Sequence, residues 1–145
     1  MESRVLNNFN FGAHEPSILI EREGTMKVIK IREVPGEAAG LGLFTGPVTR
    51  QAIITGQQCK QFLINQVNFA KGVRNKFHVH TSDQVLIVTS GKGICATEKE
   101  EVTVFPGDVI LFPAGEKHWH GATPDSDFSH IYVAGPDSKT TQIEK

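Results

Sequence analysis

The chain has 145 residues, of which 39% are hydrophobic and 21% charged, and this composition fits one globular domain with its own core. A net charge of -1 gives no field that would concentrate nucleic acid or anionic lipid. No apolar run approaches the roughly 20 residues that span a bilayer. We therefore expect a small-molecule partner and neither nucleic-acid nor membrane binding.

Residues 1–16 show no hydrophobic periodicity and are predicted to form a flexible N-terminal arm. The chain starts without the basic residues and long apolar stretch of a secretory leader, so we expect a cytoplasmic protein. Cys59 and Cys95 form no CxxC pattern, which agrees with a reducing compartment better than with a disulfide framework.

Two short β-branched runs follow at 17–22 and 26–31, with Glu23-Gly24-Thr25 between them. This spacing predicts a hairpin or two strands added to a sheet edge, where either could pair with a second subunit. The segment 36–46 is predicted to be a loop, because each glycine inside a helix would cost about 1 kcal/mol relative to alanine.

Short strand-like runs then recur between turn-forming residues. They cover 48–55, 58–69, 77–80, 84–90, 93–98, 101–105, 108–112, 117–121 and 128–133. Regular short strands with glycine and proline at the bends predict an all-β protein, either a closed barrel or a sandwich. We place a single β-barrel domain at 17–135 and a polar, frayed C-terminal tail at 136–145.

Two HxH pairs, His78 with His80 and His118 with His120, are the chemically informative feature of the sequence. Successive side chains of a strand alternate between its faces, so His78 and His80 point to the same side about 6.6 to 6.8 Å apart. Two imidazoles at this separation can converge on one metal ion.

Two turns allow further donors to join them. Residues 81–83 have turn composition and can place Gln84 beside His80, with its amide oxygen towards the same centre. The bend at 113–115 starts a strand that carries His118. Gln84 either binds the ion directly or hydrogen-bonds a ligand histidine. Three nitrogens and one oxygen suit Mn, Fe, Co, Ni, Cu or Zn.

The spacing of these residues forms two longer patterns. Gly72–Gly91 reads G-x5-HxH-x3-Q-x6-G, and Gly107–His118 reads G-x5-PxG-x2-H. Both resemble the signature motifs of the cupin superfamily, whose fold is a jelly-roll barrel or double-stranded β-helix. The resemblance implies one divalent metal ion bound by the four motif side chains. Cupins usually have glutamate at the position of Gln84, and a neutral amide leaves more charge on the ion, which favours anionic or readily deprotonated substrate groups.

A narrower resemblance covers most of residues 40–134. LFTGPV at 43–48, the HxH-x3-Q spacing, and PAGEKHWHGATP followed by an SHI strand are similar to small manganese-binding cupins. That group includes bacterial hydroxynitrile lyases and cupins associated with carboxymuconolactone decarboxylases. The resemblance implies manganese as the favoured ion, with the other transition metals still compatible, and a homodimer.

Two histidines outside the predicted ligand set are candidate catalytic residues. His130 lies in an apolar strand-like run, where a polar ring costs free energy unless it has a partner or a function. An imidazole that titrates near neutrality beside a substrate is a natural general acid and base. The alternative for His130 is a ring hydrogen-bonded to backbone. His120 shares a strand face with His118 and has either a catalytic or a structural role.

Three functions follow as hypotheses. The first is a metal-dependent lyase, hydroxynitrile-lyase-like or decarboxylase-like, in which His130 moves a proton as a C–C bond forms or breaks. The second is a metal-dependent dioxygenase, because three histidines and one carbonyl oxygen leave open positions for substrate and O2. The third is a non-catalytic cupin that binds a small ligand, for which an attached output domain would be expected.

Overall fold

A computed structural model describes residues 24–40 and 42–145, so the predicted arm at 1–16 and strand at 17–22 lie outside the described residues. The described part consists of strands and one 3-10 turn, Ile31–Glu33. The strands are β1 (Glu37–Ala38), β2 (Val48–Ile54), β3 (Leu63–Phe69), β4 (His78–His80), β5 (Gln84–Gly91), β6 (Gly93–Thr97), β7 (Glu101–Val104), β8 (Val109–Phe112), β9 (His118–Ala122), β10 (Phe128–Ala134) and β11 (Thr140–Gln142).

These strands form two antiparallel sheets. The first has the order β1-β2-β3-β10-β5-β8, and the second has the order β11-β4-β9-β6-β7. Neighbours far apart in sequence, such as β3 with β10, pair along their full length. This arrangement confirms the all-β barrel expected from the regular short strands. No helix in the described residues has the length and apolar character needed to cross a membrane.

The strand predicted at 26–31 is wrong. Ile31 begins the 3-10 turn, and the side chains of Met26 and Val28 are 90% and 77% exposed. The amide of Gln51 donates hydrogen bonds of 2.9 and 2.7 Å to the carbonyls of Ile31 and Val34. These carbonyls are therefore satisfied by a side chain rather than by a neighbouring strand, and β-propensity alone forms no sheet.

The prediction of a frayed C-terminal tail is also wrong. Strand β11 pairs with β4, and the amide of Ile143 donates to the carbonyl of Phe77 at 2.8 Å. The carboxylate of Glu144 accepts two hydrogen bonds from the guanidinium of Arg74, at 2.9 and 2.8 Å. The end of the chain is thus held by strand pairing and by a bidentate ion pair.

The apolar core lies at one end of the barrel, between the two sheets. Val48, Phe69 and Phe128 are opposite one another across β2, β3 and β10, and all three are buried. On the facing sheet, a Cβ at Gly93 would overlap the ring of Phe128, so glycine is needed for this close approach. The rows beyond this one include the buried polar residues His130, Asn65 and Gln84, so the barrel interior becomes more polar towards its other end.

Candidate metal centre

Strands β4 and β9 bring three histidines together at the polar end of the barrel. His78 is opposite His118 in the register of the two strands, and His80 follows two residues later on the same face. The donor nitrogens of these three rings lie within 4.8 Å of one another. Each of the rings is buried. The structure therefore places the three predicted ligand histidines around one centre.

Gln84, the fourth predicted ligand, begins β5 and reaches the same centre. Its Oε1 lies 2.9 Å from Nε2 of His118, and the residue is 2% exposed. The turn between β4 and β5 reverses the chain as its composition predicted. Gln84 thus stands beside the histidines with its amide oxygen directed at one of their ring nitrogens.

Backbone carbonyls fix which nitrogen of two of the rings carries a proton. Nδ1 of His78 lies 2.6 Å from the carbonyl oxygen of Lys76, and Nδ1 of His118 lies 2.8 Å from that of Glu116. A carbonyl oxygen only accepts hydrogen bonds, so each Nδ1 must be the donor. In the neutral rings, Nε2 therefore presents its lone pair to the centre, as in metal-binding histidines.

Burial keeps these rings neutral. Desolvation lowers the pKa of His78, against the opposing effect of the Lys76 carbonyl. It lowers the pKa of His118 to about 4, and it lowers the pKa of His80 to about 4 with a further contribution from the neighbouring His78. Neutral imidazoles are the form that binds a metal ion.

The centre holds lone pairs that the described protein leaves without donors. Nε2 of His80 is buried and has no hydrogen-bond partner in the described residues. Nε2 of His118 faces Gln84 Oε1, and both atoms are acceptors in these forms. A buried acceptor without a donor is unfavourable, whereas a divalent cation would satisfy all of these atoms. The donor set therefore fits a transition-metal ion.

Two residues that sequence reasoning missed support the histidine ligands. Oγ1 of Thr140, in β11, lies 3.0 Å from Nδ1 of His80. The ring of Phe112 stacks on the ring of His118, with centroids 3.9 Å apart and planes 11° apart. The two β-branched threonines in the polar tail favour a strand at β11. Nothing in the sequence indicates that this strand pairs with β4.

His120 lies deeper in the barrel and is held by Asn75. The backbone amide of His120 donates to Asn75 Oδ1 at 2.7 Å, and Asn75 Nδ2 lies 3.1 Å from both ring nitrogens of His120. Burial lowers the pKa of His120 well below its usual range, and His130 lowers it further. Asn75 was not anticipated from the sequence, and its contacts give His120 a fixed orientation.

His130 faces His120 from the opposite sheet, with ring centroids 4.9 Å apart. It is 1% exposed, and neither ring nitrogen makes a well-formed hydrogen bond within the described residues. Burial lowers the pKa of His130 to about 4, and a backbone hydrogen bond at Ile131 opposes this shift. The ring therefore has a backbone interaction at Ile131 but no hydrogen bond of ordinary geometry, and the catalytic role of His130 stays a prediction.

A cavity of about 150 Å³ connects these groups to solvent. Its walls include three of the four predicted metal ligands and both candidate catalytic histidines, which are His78, His80, Gln84, His120 and His130. The remaining wall is formed by Leu43, Phe44, Arg50, Asn65, Val67, Asn75, Tyr132 and Thr140. A cavity of this volume can hold a molecule about the size of benzene.

An antiparallel barrel with three histidines and one amide oxygen around a buried centre defines a small β-barrel protein with a site that could hold a metal ion. Comparison with known proteins gives the family. Residues 65–133 match the family described as Cupin domain. The chain is 36% identical over 109 residues to the (R)-mandelonitrile lyase of Granulicella tundricola, covering 72% of this chain and 83% of the relative. The chain therefore belongs to the cupin family.

Solved structures agree with this assignment. A cupin-like protein from Thermotoga maritima matches with a TM-score of 0.73 at 29% identity, over 81% of this chain and 90% of that chain. The polyketide cyclase RemF from Streptomyces resistomycificus matches with a TM-score of 0.76 at 18% identity, over 83% of this chain and 87% of that chain. The second similarity concerns the fold alone.

Proposed function

We propose that this cupin is a metal-dependent lyase that breaks or forms a C–C bond in a small oxygen-bearing molecule, as in hydroxynitrile cleavage. One observation carries the proposal: a small cavity is lined both by the histidine-glutamine centre and by the ring of His130, whose nitrogens make no hydrogen bond of ordinary geometry with the described residues. The similarity to an (R)-mandelonitrile lyase supports the lyase class over the dioxygenase and ligand-binding alternatives.

We propose that His78, His80, Gln84 and His118 hold one divalent transition-metal ion, and manganese is the first ion to test. Neutral imidazoles with fixed Nε2 lone pairs and an amide oxygen support this assignment. When bound, such an ion supplies Lewis acidity that polarises an oxygen of the substrate. Because Gln84 is neutral, the four side chains add no negative charge to the centre.

In the proposed reaction, His130 accepts the proton of a substrate hydroxyl group. The electron pair of the O–H bond becomes the second bond of a carbonyl group, and the adjacent C–C bond breaks. Its electron pair leaves with the departing carbon, for example as cyanide, which His130 can then protonate. Burial lowers the pKa of His130 to about 4, below the near-neutral value expected from the sequence, so the ring has an unprotonated nitrogen at pH 7 but is a weaker base than a free imidazole. His120, oriented by Asn75, packs against this ring and positions it.

The experiment is cleavage of racemic mandelonitrile by manganese-loaded protein, with benzaldehyde and cyanide measured separately. We expect release of both products, preference for one enantiomer, and a loss of at least a hundredfold in kcat for His130→Gln with unchanged metal content. Ser129→Ala, on the outer face of the same strand, is the matched control and should retain activity. Full activity in His130→Gln would refute the base role, and oxygen uptake without cyanide release would favour the dioxygenase.

We also propose a homodimer, with the outer face of β5 and β8 as the contact surface. Ile87 is opposite Val109 in this strand pair, and Leu111 follows Val109 on the same face. All three side chains are exposed on the described chain. An apolar patch of this kind favours association. A single species of about 32 kDa is expected in sedimentation at micromolar concentration, from the 15.9 kDa chain. A monomer would contradict the proposal.

A further inference from the structure

We propose that the substrate of this cavity carries a carboxylate group, and that Arg50, Asn65 and Tyr132 bind it. This inference rests on the proposed function in that it concerns the same cavity. It goes further by naming the substrate class, a small hydroxy- or oxo-carboxylate. In such a substrate, the hydroxyl or oxo oxygen would lie towards the histidines. The carboxylate would lie towards β2.

The position of Arg50 in its strand is unusual for an arginine. Across β2, β3 and β10, Arg50 is opposite Val67, which is opposite His130. Residues opposite one another in antiparallel strands share a face, so Arg50 lies on the inward face together with Val48 of the core. Its side chain is exposed yet lines the cavity, which places it at the cavity mouth.

Arg50 is the only charged side chain among the described residues that line the cavity. Glu37 is opposite Arg50 in the pairing of β1 with β2, but the described residues contain no ion pair between them. The other cavity walls are apolar or neutral, including the amide of Gln84. Among the described residues this guanidinium has no carboxylate partner, and at the entrance of a small neutral cavity such a group can recognise an anion.

Two neutral donors complete the subsite. Asn65 is opposite Tyr132 in the pairing of β3 with β10, in the row next to Arg50. Asn65 is 9% exposed and Tyr132 is half-buried, and both side chains line the cavity without a hydrogen bond to another described residue. Burial raises the pKa of Tyr132 while the nearby Arg50 cation opposes the shift, so the phenol stays protonated and can donate. An amide and a phenol that line the cavity without hydrogen bonds to described residues can donate to a ligand that accepts hydrogen bonds.

The test compares an anion with its neutral isostere. Calorimetric titration of mandelate and mandelamide into metal-loaded protein measures the ratio of the two Kd values. We expect mandelate to bind at least tenfold more tightly to the wild type, since a charge-assisted bidentate hydrogen bond discriminates by roughly that factor or more. In Arg50→Met the preference should fall below about twofold, and Arg50→Lys should retain part of it.

Arg32→Met is the matched control. It removes a guanidinium that is exposed and lies outside the cavity, so it should keep the mandelate preference of the wild type. Equal binding of mandelate and mandelamide to the wild type, or an unchanged preference in Arg50→Met, would overturn the inference. Each variant is first checked for an unchanged thermal transition.

Titrations of metal-free protein and of His78→Ala separate this inference from the proposed function. Arg50 is not a predicted metal ligand, so a weaker but measurable mandelate preference should persist without metal. If the preference disappears with the metal and is unaffected by Arg50→Met, the ion alone attracts the carboxylate and the subsite is refuted. If mandelonitrile is not cleaved but the Arg50-dependent preference remains, hydroxynitrile cleavage is refuted as the reaction and the carboxylate subsite stands.

Discussion

Replacing Thr140 by valine should weaken metal binding without disturbing the barrel. Oγ1 of Thr140 lies 3.0 Å from Nδ1 of His80, so accepting that N–H fixes the ring with its Nε2 lone pair towards the centre. Valine has the same shape and is equally suited to a strand, but it has no hydroxyl group. The substitution therefore removes the hydrogen bond while the pairing of β11 with β4 is retained.

The size of the effect follows from the exposure of Thr140. A neutral hydrogen bond contributes about 0.5 to 1.5 kcal/mol net, and loss of a buried partner to a ligand histidine typically costs roughly 10- to 100-fold in metal affinity. Thr140 is exposed, so water can replace its hydroxyl group. We therefore expect a loss of about 1 kcal/mol, which is roughly fivefold in Kd.

The assay is competition for manganese or zinc with a chelator of known affinity. Thr141→Val is the control, because Thr141 lies on the opposite face of β11 and is opposite Val79 rather than a ligand histidine. We expect unchanged affinity in Thr141→Val and equal melting temperatures for both metal-free variants. Equal metal affinity in Thr140→Val and Thr141→Val would show that the hydroxyl of Thr140 does not orient His80.

Three further predictions concern stability. The pKa of Glu144 is lowered to about 2 by Arg74, so its stabilisation is present above pH 4.5 and is lost as pH falls towards 2. Glu144→Gln should therefore lower Tm at pH 7 but have little effect at pH 2, and an equal effect at both would contradict the ion pair. The folded-state pKa of His130 is about 4, so protons bind to the unfolded state first as pH falls below 6.5. The free energy of unfolding of the wild type should therefore fall by up to about 3 kcal/mol relative to that of His130→Phe between pH 6.5 and 4, measured by denaturant titration. A pH-independent difference would refute this burial effect. Phe112→Ala should destabilise the fold by about 3 to 5 kcal/mol, and a cost below about 1 kcal/mol would show that Phe112 packs loosely.

The grouping of the four candidate ligand side chains could be predicted because its geometry is local. Strand alternation alone places the rings of His78 and His80 on one side of their strand. The turn at 81–83 then reverses the chain and brings Gln84 beside them. The bend before β9 similarly directs His118. Each of these inferences needs only short stretches of chain, and the structure bears out the resulting convergence of the side chains.

The missed features depend on contacts between residues distant in sequence. Thr140 meets His80, and Arg74 meets Glu144, across separations of 60 and 70 residues. A three-residue polar strand has too little periodicity to be recognised, and its stability comes from pairing with β4 rather than from propensity. The sequence did place Arg50 on the same face of a predicted strand as Val48 and an alanine. Its proposed role in binding an anion depends on its position at the cavity mouth, which the sequence does not reveal.

The segment 26–31 was predicted to be a strand but does not form one. Its β-branched composition is favourable for a strand, yet it pairs with no strand in the described residues, and Gln51 instead donates hydrogen bonds to the carbonyls of Ile31 and Val34 there. Strand formation needs a hydrogen-bonding neighbour, which composition does not supply. The same reasoning explains why the runs from 48 onward formed strands, since each of them has a partner in one of the two sheets.

Metal content tests the central claim most directly. Purified protein and a His78→Ala variant are dialysed briefly against a weak chelator, and their metals are then measured by elemental analysis alongside protein concentration. We predict about one equivalent of a divalent transition metal per chain in the wild type and a large loss in His78→Ala, with both proteins folded. A folded wild type that holds no metal and takes none up on reconstitution would contradict the metal centre.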